Sequence, residues 1–157
     1  MDLHQYIKPA NGWKVPIFET LLDGSCRPSW HVHYRDWDKL KTAIFEMDEK
    51  HRHTFVDLGA NLGLISVMAK QFFKRVIAVE PHPVTAECLR CNMEEETNGM
   101  PSGTYQVIEA AAGQKKDMIE LYTPADPKTS GYTSTTAYEG WTSQPVKQIA
   151  LDTLGLS

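Results

Sequence analysis

Thr54-Phe55-Val56-Asp57-Leu58-Gly59-Ala60-Asn61-Leu62-Gly63 is the stretch on which the fold turns. A short, mostly apolar run stops at a glycine, and a second glycine follows just before residues at helical spacing begin. An apolar run of this length bounded by turn residues reads as a buried strand. Leu62, Ile65, Met68 (or Ala69) and Phe72 then share one helical face, which predicts a helix over residues 62–73. Arg75-Val76-Ile77-Ala78-Val79 repeats the buried-strand pattern, and Pro83 suits the first turn of a further helix. That helix is expected to run to about Asn98, to bury Ala86, Leu89 and Met93, and to stop at Gly99. Tyr105-Gln106-Val107-Ile108 reads as a third strand. Short apolar strands alternating with helices predict a parallel sheet with right-handed crossovers, an α/β, Rossmann-like architecture.

Outward from this centre the pattern weakens. Residues 1–35 are rich in aromatics, proline and glycine and read as short strands and turns, with Asp23-Gly24 a candidate hairpin turn. Residues 36–48 read as a helix with Asp36 as its N-cap and Trp37, Leu40, Ile44 and Met47 on one face. The expected division is therefore an aromatic-rich N-terminal cap, residues 1–53, ahead of a Rossmann-like unit, residues 54–157. Beyond Gly113, Met118 to Tyr122 and Val146 to Leu151 read as strands around a Ser/Thr/Gly-rich loop, residues 123–145. A loop of that length with small hydroxyl side chains is expected to be mobile and to act as a lid.

Composition excludes several classes. With 41% hydrophobic and 23% charged residues over 157 positions, the chain can bury a core and is no disordered segment. Sixteen basic against 20 acidic residues leave no basic footprint for nucleic acid, although the six histidines would shift the balance near pH 5–6. Three cysteines make a secreted disulfide framework unexpected and favour a reducing, cytoplasmic setting. Met1-Asp2-Leu3-His4-Gln5 lacks the basic start and apolar core of a signal peptide. The longest apolar stretch, Leu62 to Ala69, falls far short of the ~20 residues that cross a bilayer, so no membrane partner is expected.

The turn between Asp57 and Gly63 carries the chemistry. In an open α/β sheet, ligands bind beyond the carboxyl ends of the strands. Gly59 and Gly63 allow a sharp turn and close approach of a ligand, Asn61 tolerates a left-handed backbone, and the helix start beyond offers amide donors. A phosphate-binding loop would need Lys after the last glycine, and a dinucleotide loop would need glycine where Asn61 stands. Asp57, an acid beside the loop, suits an ammonium or hydroxyl group better than a pyrophosphate. Glu80 ends the second strand about twenty residues on, where a carboxylate accepts both hydroxyls of a ribose. A ribose, an ammonium and a carboxylate together describe S-adenosylmethionine.

The segments Val56-Asp57-Leu58-Gly59-Ala60-Asn61-Leu62-Gly63 and Ile77-Ala78-Val79-Glu80-Pro81, followed by Pro83, resemble the FkbM-type S-adenosylmethionine-dependent methyltransferases. So do the helix with Leu89 and Asn92 and the tail Ile149-Ala150-Leu151-Asp152-Thr153-Leu154. The resemblance covers residues 54–157. It implies a class I methyltransferase fold and O-methylation of a sugar or other small-molecule hydroxyl. The cofactor contacts it points to are Asp57, Gly59, Ala60, Asn61, Gly63, Glu80, Pro81 and His82, with Glu109 and Ala110 bordering the adenine. No catalytic base is assigned, and no metal is expected. The family continues past the Leu-Asp-x-Leu segment into a strand with an Asp-x-Glu-Gly motif that this chain lacks. The resemblance thus implies an incomplete domain with Phe55-Val56-Asp57-Leu58 on a sheet edge open to self-association, unless residues 114–157 or the cap cover it. Two other classes remain: a cofactor-binding module without turnover, and a nicotinamide-dependent oxidoreductase.

The remaining motifs read as packing. His31/His33 and His51/His53 would each share a strand face, but no acidic or cysteine partner stands at ligand spacing. Cys88-Leu89-Arg90-Cys91 falls mid-helix, away from the helix start that activates a redox pair. Trp30 to Trp37 is read as a cap on a core before a stacking surface. His82 is read as a surface or adenine-edge residue before a base.

Overall fold

The computed structural model describes residues 7–10, 13–16, 30–95, 104–124 and 133–155; for 7–10, 13–16, 30–37 and 95 the account is of the backbone alone. Two strands, β1 (Ile7–Ala10) and β2 (Trp13–Pro16), pair antiparallel. Helix α1 (Trp30–Glu46) follows. Then come β3 (Thr54–Leu58), α2 (Leu64–Ala69), β4 (Arg75–Glu80), α3 (Pro83–Glu95) and β5 (Tyr105–Glu109). The chain finishes with β6 (Ala111–Gly113), β7 (Asp117–Pro124), β8 (Trp141–Ala150) and a 3-10 turn, Leu151–Leu154.

Strands β3, β4 and β5 form one parallel sheet in that order. The register sets Thr54 opposite Arg75 and Leu58 opposite Val79, then Val76 opposite Tyr105 and Glu80 opposite Glu109. The fold is α/β and Rossmann-like, as the alternating apolar runs predict. Its centre is β4, where Val76, Ile77, Ala78 and Val79 are buried on both faces. Val76 and Ala78 pack with Ala60, Ala69, Leu89 and Met93 under α2 and α3, flanked by Phe55 and Val107. Ile77 and Val79 face the other way, onto Leu154, Val56, Ile108 and Ile149. A fully buried valine or isoleucine contributes about 1.5–3 kcal/mol, so this strand anchors the unit. Ile149 and Leu154, from the tail segment, thus cover the sheet's second face.

The second sheet has the order β6-β8-β7. β6 continues past β5 and pairs parallel with the end of β8, Ala111 opposite Gln148. β7 and β8 form a long antiparallel ribbon, Asp117 opposite Gln148 through to Pro124 opposite Trp141. Among the described residues β3 pairs with β4 alone, which leaves its other side as a sheet edge.

Several sequence expectations need correction. α1 begins at Trp30, so Asp36 lies inside the helix and is not its cap. Residues 30–46 contain neither glycine nor proline, and a nucleated helix propagates until something stops it. His31 and His33 consequently lie two positions apart on a helix, a spacing that does not share a face. α2 ends at Ala69, short of residue 73. Phe72 and Phe73 instead follow in turns, their amides bonded to the Ala69 carbonyl, and pack against Phe45 and Phe55. The expected loop 123–145 is shorter than read, because β7 extends to Pro124 and β8 starts at Trp141. Threonines and aromatics fit a pleated surface whether or not they alternate with apolar residues. Residues 125–132, the core of the expected lid, lie outside the described residues, as do the expected Asp23-Gly24 turn and the end of the α3 helix at Asn98-Gly99.

Candidate cofactor site

The loop from β3 to α2 packs three left-handed residues into five: Gly59 (φ 75°), Asn61 (φ 51°) and Gly63 (φ 93°). Glycine takes this conformation without strain and asparagine at modest cost. The two glycines serve different ends. Among the described residues, a Cβ at Gly59 would meet no atom within 4 Å beyond its chain neighbours, so the space above it is open to a ligand. A Cβ at Gly63 would fall 2.5 Å from Leu89 Cδ1, so Gly63 lets the loop sit directly on α3.

The amide donors expected for an anion are those of the helix start; the loop's own amides are engaged within the protein. Gly59 and Ala60 both donate to the Val79 carbonyl, at 2.9 and 3.0 Å. Asn61 N–H donates to Glu80 Oε2 at 3.0 Å, and Gly63 N–H donates to the Ala60 carbonyl at 2.9 Å. Four amides that would cradle a phosphate therefore point back into the protein.

Glu80 is 6% exposed and ends β4 at the rim. Its second oxygen, Oε1, accepts from the His82 amide at 3.0 Å. The carboxylate thus ties the first loop to the turn that follows β4, a link across the rim that the sequence reading did not anticipate. Asp57 sits half-buried near the end of β3, and Ser66, fully buried on α2, donates its hydroxyl to Asp57 Oδ2 at 2.7 Å. The rim thus carries two acidic side chains, each oriented by a neighbouring loop or helix.

His82 also has a structural role that the sequence did not show. It is the N-cap of α3: its carbonyl accepts from Ala86 at 2.8 Å, and Nδ1 accepts from the Thr85 amide at 3.4 Å and lies 3.2 Å from Thr85 Oγ1. Pro83 then occupies the first helical position, as expected. Burial pushes the imidazole below its ordinary pKa, against the opposing pull of Glu109. An Nδ1 that accepts a backbone hydrogen bond must be unprotonated, in keeping with that shift.

Glu109 lies opposite Glu80 in the register and so on the same rim. It pairs with Arg90 of α3 at 2.9 Å, and Arg90 also holds Glu87 at 2.7 Å. Ala110 is buried at 1% exposure, its amide bonded to the Glu80 carbonyl at 3.2 Å. Pro81, Glu109 and Ala110 line a cavity of about 550 Å³ that continues past Arg90 to Met118 and Lys147 on the ribbon. The structure thus gathers Asp57, Gly59, Ala60, Asn61, Gly63, Glu80, Pro81, His82, Glu109 and Ala110 along the carboxyl ends of three adjacent strands. Ser66 and Arg90 were missed as site residues. Both lie mid-helix in apolar or cysteine-bearing runs, where only their partners' positions give them meaning.

No family model matches the chain, and no curated protein does. Among solved structures it is similar to methyltransferase FkbM from Methylobacillus flagellatus KT, at 18% identity over 64% of this chain and a TM-score of 0.43. The match spans 22% of that protein's length. Among the described residues, no helix is long and apolar enough to cross a membrane.

Proposed function

We propose that the rim binds S-adenosylmethionine and that the chain serves methyl transfer, with a sugar or other small-molecule hydroxyl as acceptor. The observation that carries this reading is the inward turn of the loop amides beside two oriented carboxylates. That arrangement disfavours a pyrophosphate and suits a ligand with an ammonium and hydroxyls, which speaks against the nicotinamide reading. In the proposal Asp57 receives the ammonium, Glu80 the ribose hydroxyls, and the open space over Gly59 the ligand's closest approach. Pro81 and the Glu109-Ala110 segment border the adenine, and His82 shapes that edge as the cap of α3. When bound, the cofactor supplies a sulfonium methyl that is already a good electrophile. The protein's part is to align the acceptor oxygen in line and to exclude water. A base is needed only where the hydroxyl must lose its proton as the new C–O bond forms. The proposal extends to a cytoplasmic setting and to self-association through the edge of β3.

A second reading, a cofactor-binding module without turnover, is favoured by one observation. Among the described residues no strand pairs with the far side of β3.

Titration calorimetry tests the site. The chain should bind S-adenosylhomocysteine and not NAD. Glu80→Gln should weaken binding by about 1–3 kcal/mol, the usual loss for hydrogen bonds to a charged group. Gly59→Val should remove binding and cost roughly 1–2 kcal/mol of stability through left-handed strain, since its side chain enters the ligand's space and meets no atom of the described residues within 4 Å. Tighter binding of NAD, or unchanged affinity in both variants, would overturn the reading.

A further inference from the structure

Asn92 of α3 is a polar residue whose role the cofactor reading does not use. It is 2% exposed, on the face of α3 that meets the loop, and its Nδ2 donates to the Leu62 carbonyl at 2.8 Å. A buried side-chain amide is costly unless it is bonded, so an apolar residue of similar volume would suit plain packing better. The Leu62 carbonyl shares its peptide unit with the Gly63 N–H, which donates to the Ala60 carbonyl at 2.9 Å. That peptide is therefore pinned at both ends, by a helix thirty residues away at one and by the loop itself at the other. Its orientation also sets the left-handed φ of Gly63, the residue that seats the loop against Leu89. On the β4 side the loop is held by the Val79 carbonyl and Glu80. On the α3 side the hydrogen bond comes from Asn92.

We infer that Asn92 is a positioning residue for the cofactor loop, acting through the Leu62–Gly63 peptide; the inference rests on the cofactor reading above. Without the amide donor, the Leu62 carbonyl loses its partner in a buried place, and the peptide is released to rotate. Gly63 then leaves its left-handed conformation and its bond to Ala60. The Asn61 amide shifts from Glu80 in consequence, and the rim loses the shape in which Asp57 and Glu80 meet one ligand. Asn92 itself touches no ligand.

The test compares Asn92→Leu with the unaltered chain by two readouts. One is affinity for S-adenosylhomocysteine by calorimetry. The other is the Gly63 amide, by its nitrogen–proton NMR signal and its hydrogen-exchange rate. Asn92→Leu should weaken binding at least tenfold, shift the Gly63 signal and speed its exchange at least tenfold, leaving the Gly113 and Gly140 signals in place. Asn92→Gln, which keeps an amide donor, should restore part of both. Val76→Ala, at the far end of β4, should lower the melting temperature without weakening binding. If Asn92→Leu does not fold, Asn92→Asp keeps the shape, replaces the donor by an acceptor and is read in the same way. Unchanged Gly63 exchange, or a binding loss no greater than that of Val76→Ala, would overturn the inference. If the unaltered chain binds no S-adenosylhomocysteine, the cofactor reading fails. The Gly63 exchange then decides alone: faster exchange in Asn92→Leu supports the positioning role, and unchanged exchange ends it.

Discussion

The parallel sheet and the β7–β8 ribbon bury their side chains in opposite ways. Along β4, successive residues Val76 to Val79 are all buried, alternately under α2 and α3 and over Ile149 and Leu154. Along most of the ribbon one face packs and the other does not: Ile119, Leu121 and Val146 meet Ala111, while Met118, Glu120 and Lys147 are exposed, and that second face turns inward at Ile149, which packs on β4. A strand covered on both faces has no room to relax when a side chain changes. A strand covered on one face lets its neighbours and water close the gap. The sheet side also bears the rim, so the rigid region carries the candidate site and the ribbon borders only its outer cavity.

The sharpest way to break this contrast is Gly63→Val. It forces a β-branched residue into a left-handed backbone and drives a side chain into the buried Leu89. Left-handed strain of roughly 1–2 kcal/mol and overpacking of about 1–3 kcal/mol act together. Denaturant unfolding should show a loss of about 2–5 kcal/mol, toward the upper end for a β-branched side chain, or no folded protein. A loss under about 1 kcal/mol would mean that the loop does not rest on α3.

A matched pair of truncations measures the two regions directly. Ile77→Ala in β4 and Leu121→Ala in β7 both remove a buried branched side chain, a change that costs about 2–5 kcal/mol. Ile77→Ala should fall near the upper end, about 4 kcal/mol, and Leu121→Ala near 2 kcal/mol, because the ribbon site collapses more readily. Equal losses in chemical denaturation would erase the distinction.

The smallest expected effect is at the start of α3, and it depends on pH. The folded-state pKa of His82 is depressed by burial, so the unfolded chain binds the proton more readily. Its contribution to stability is therefore present above about pH 6.5, the unfolded value, and is lost as pH falls through the lower folded value. His82→Ala should cost about 1 kcal/mol at pH 7.5, the scale of a lost helix cap. The gap between variant and unaltered chain should close on acidification. A gap that widens toward pH 5 would contradict the capping role.

The rim residues were legible one at a time and their relations were not. Asp57, Gly59 and Glu80 stand out because each punctuates an apolar run, and punctuation is local. That Glu80 receives the Asn61 and His82 amides, or that Ser66 orients Asp57, depends on bonds between segments the sequence leaves apart. The two loop glycines look alike in sequence, yet one opens onto space and the other onto Leu89. His82 looked like a ligand-edge histidine because it follows Glu-Pro, and its capping bond becomes visible only once α3 is in place.

By itself the sequence determined the order of strands and helices from residue 54 to 109 and the place of the turn between them. Runs such as Val76 to Val79 are apolar throughout because both faces are covered, and Gly59 and Pro83 interrupt them where the backbone must turn or a helix must start. Tertiary structure alone decided that β6 continues past β5 to pair with β8, and that Asn92 bonds the glycine loop. Those features rest on partners tens of residues away, and the periodicity of a segment reports which face is buried but not what it is buried against.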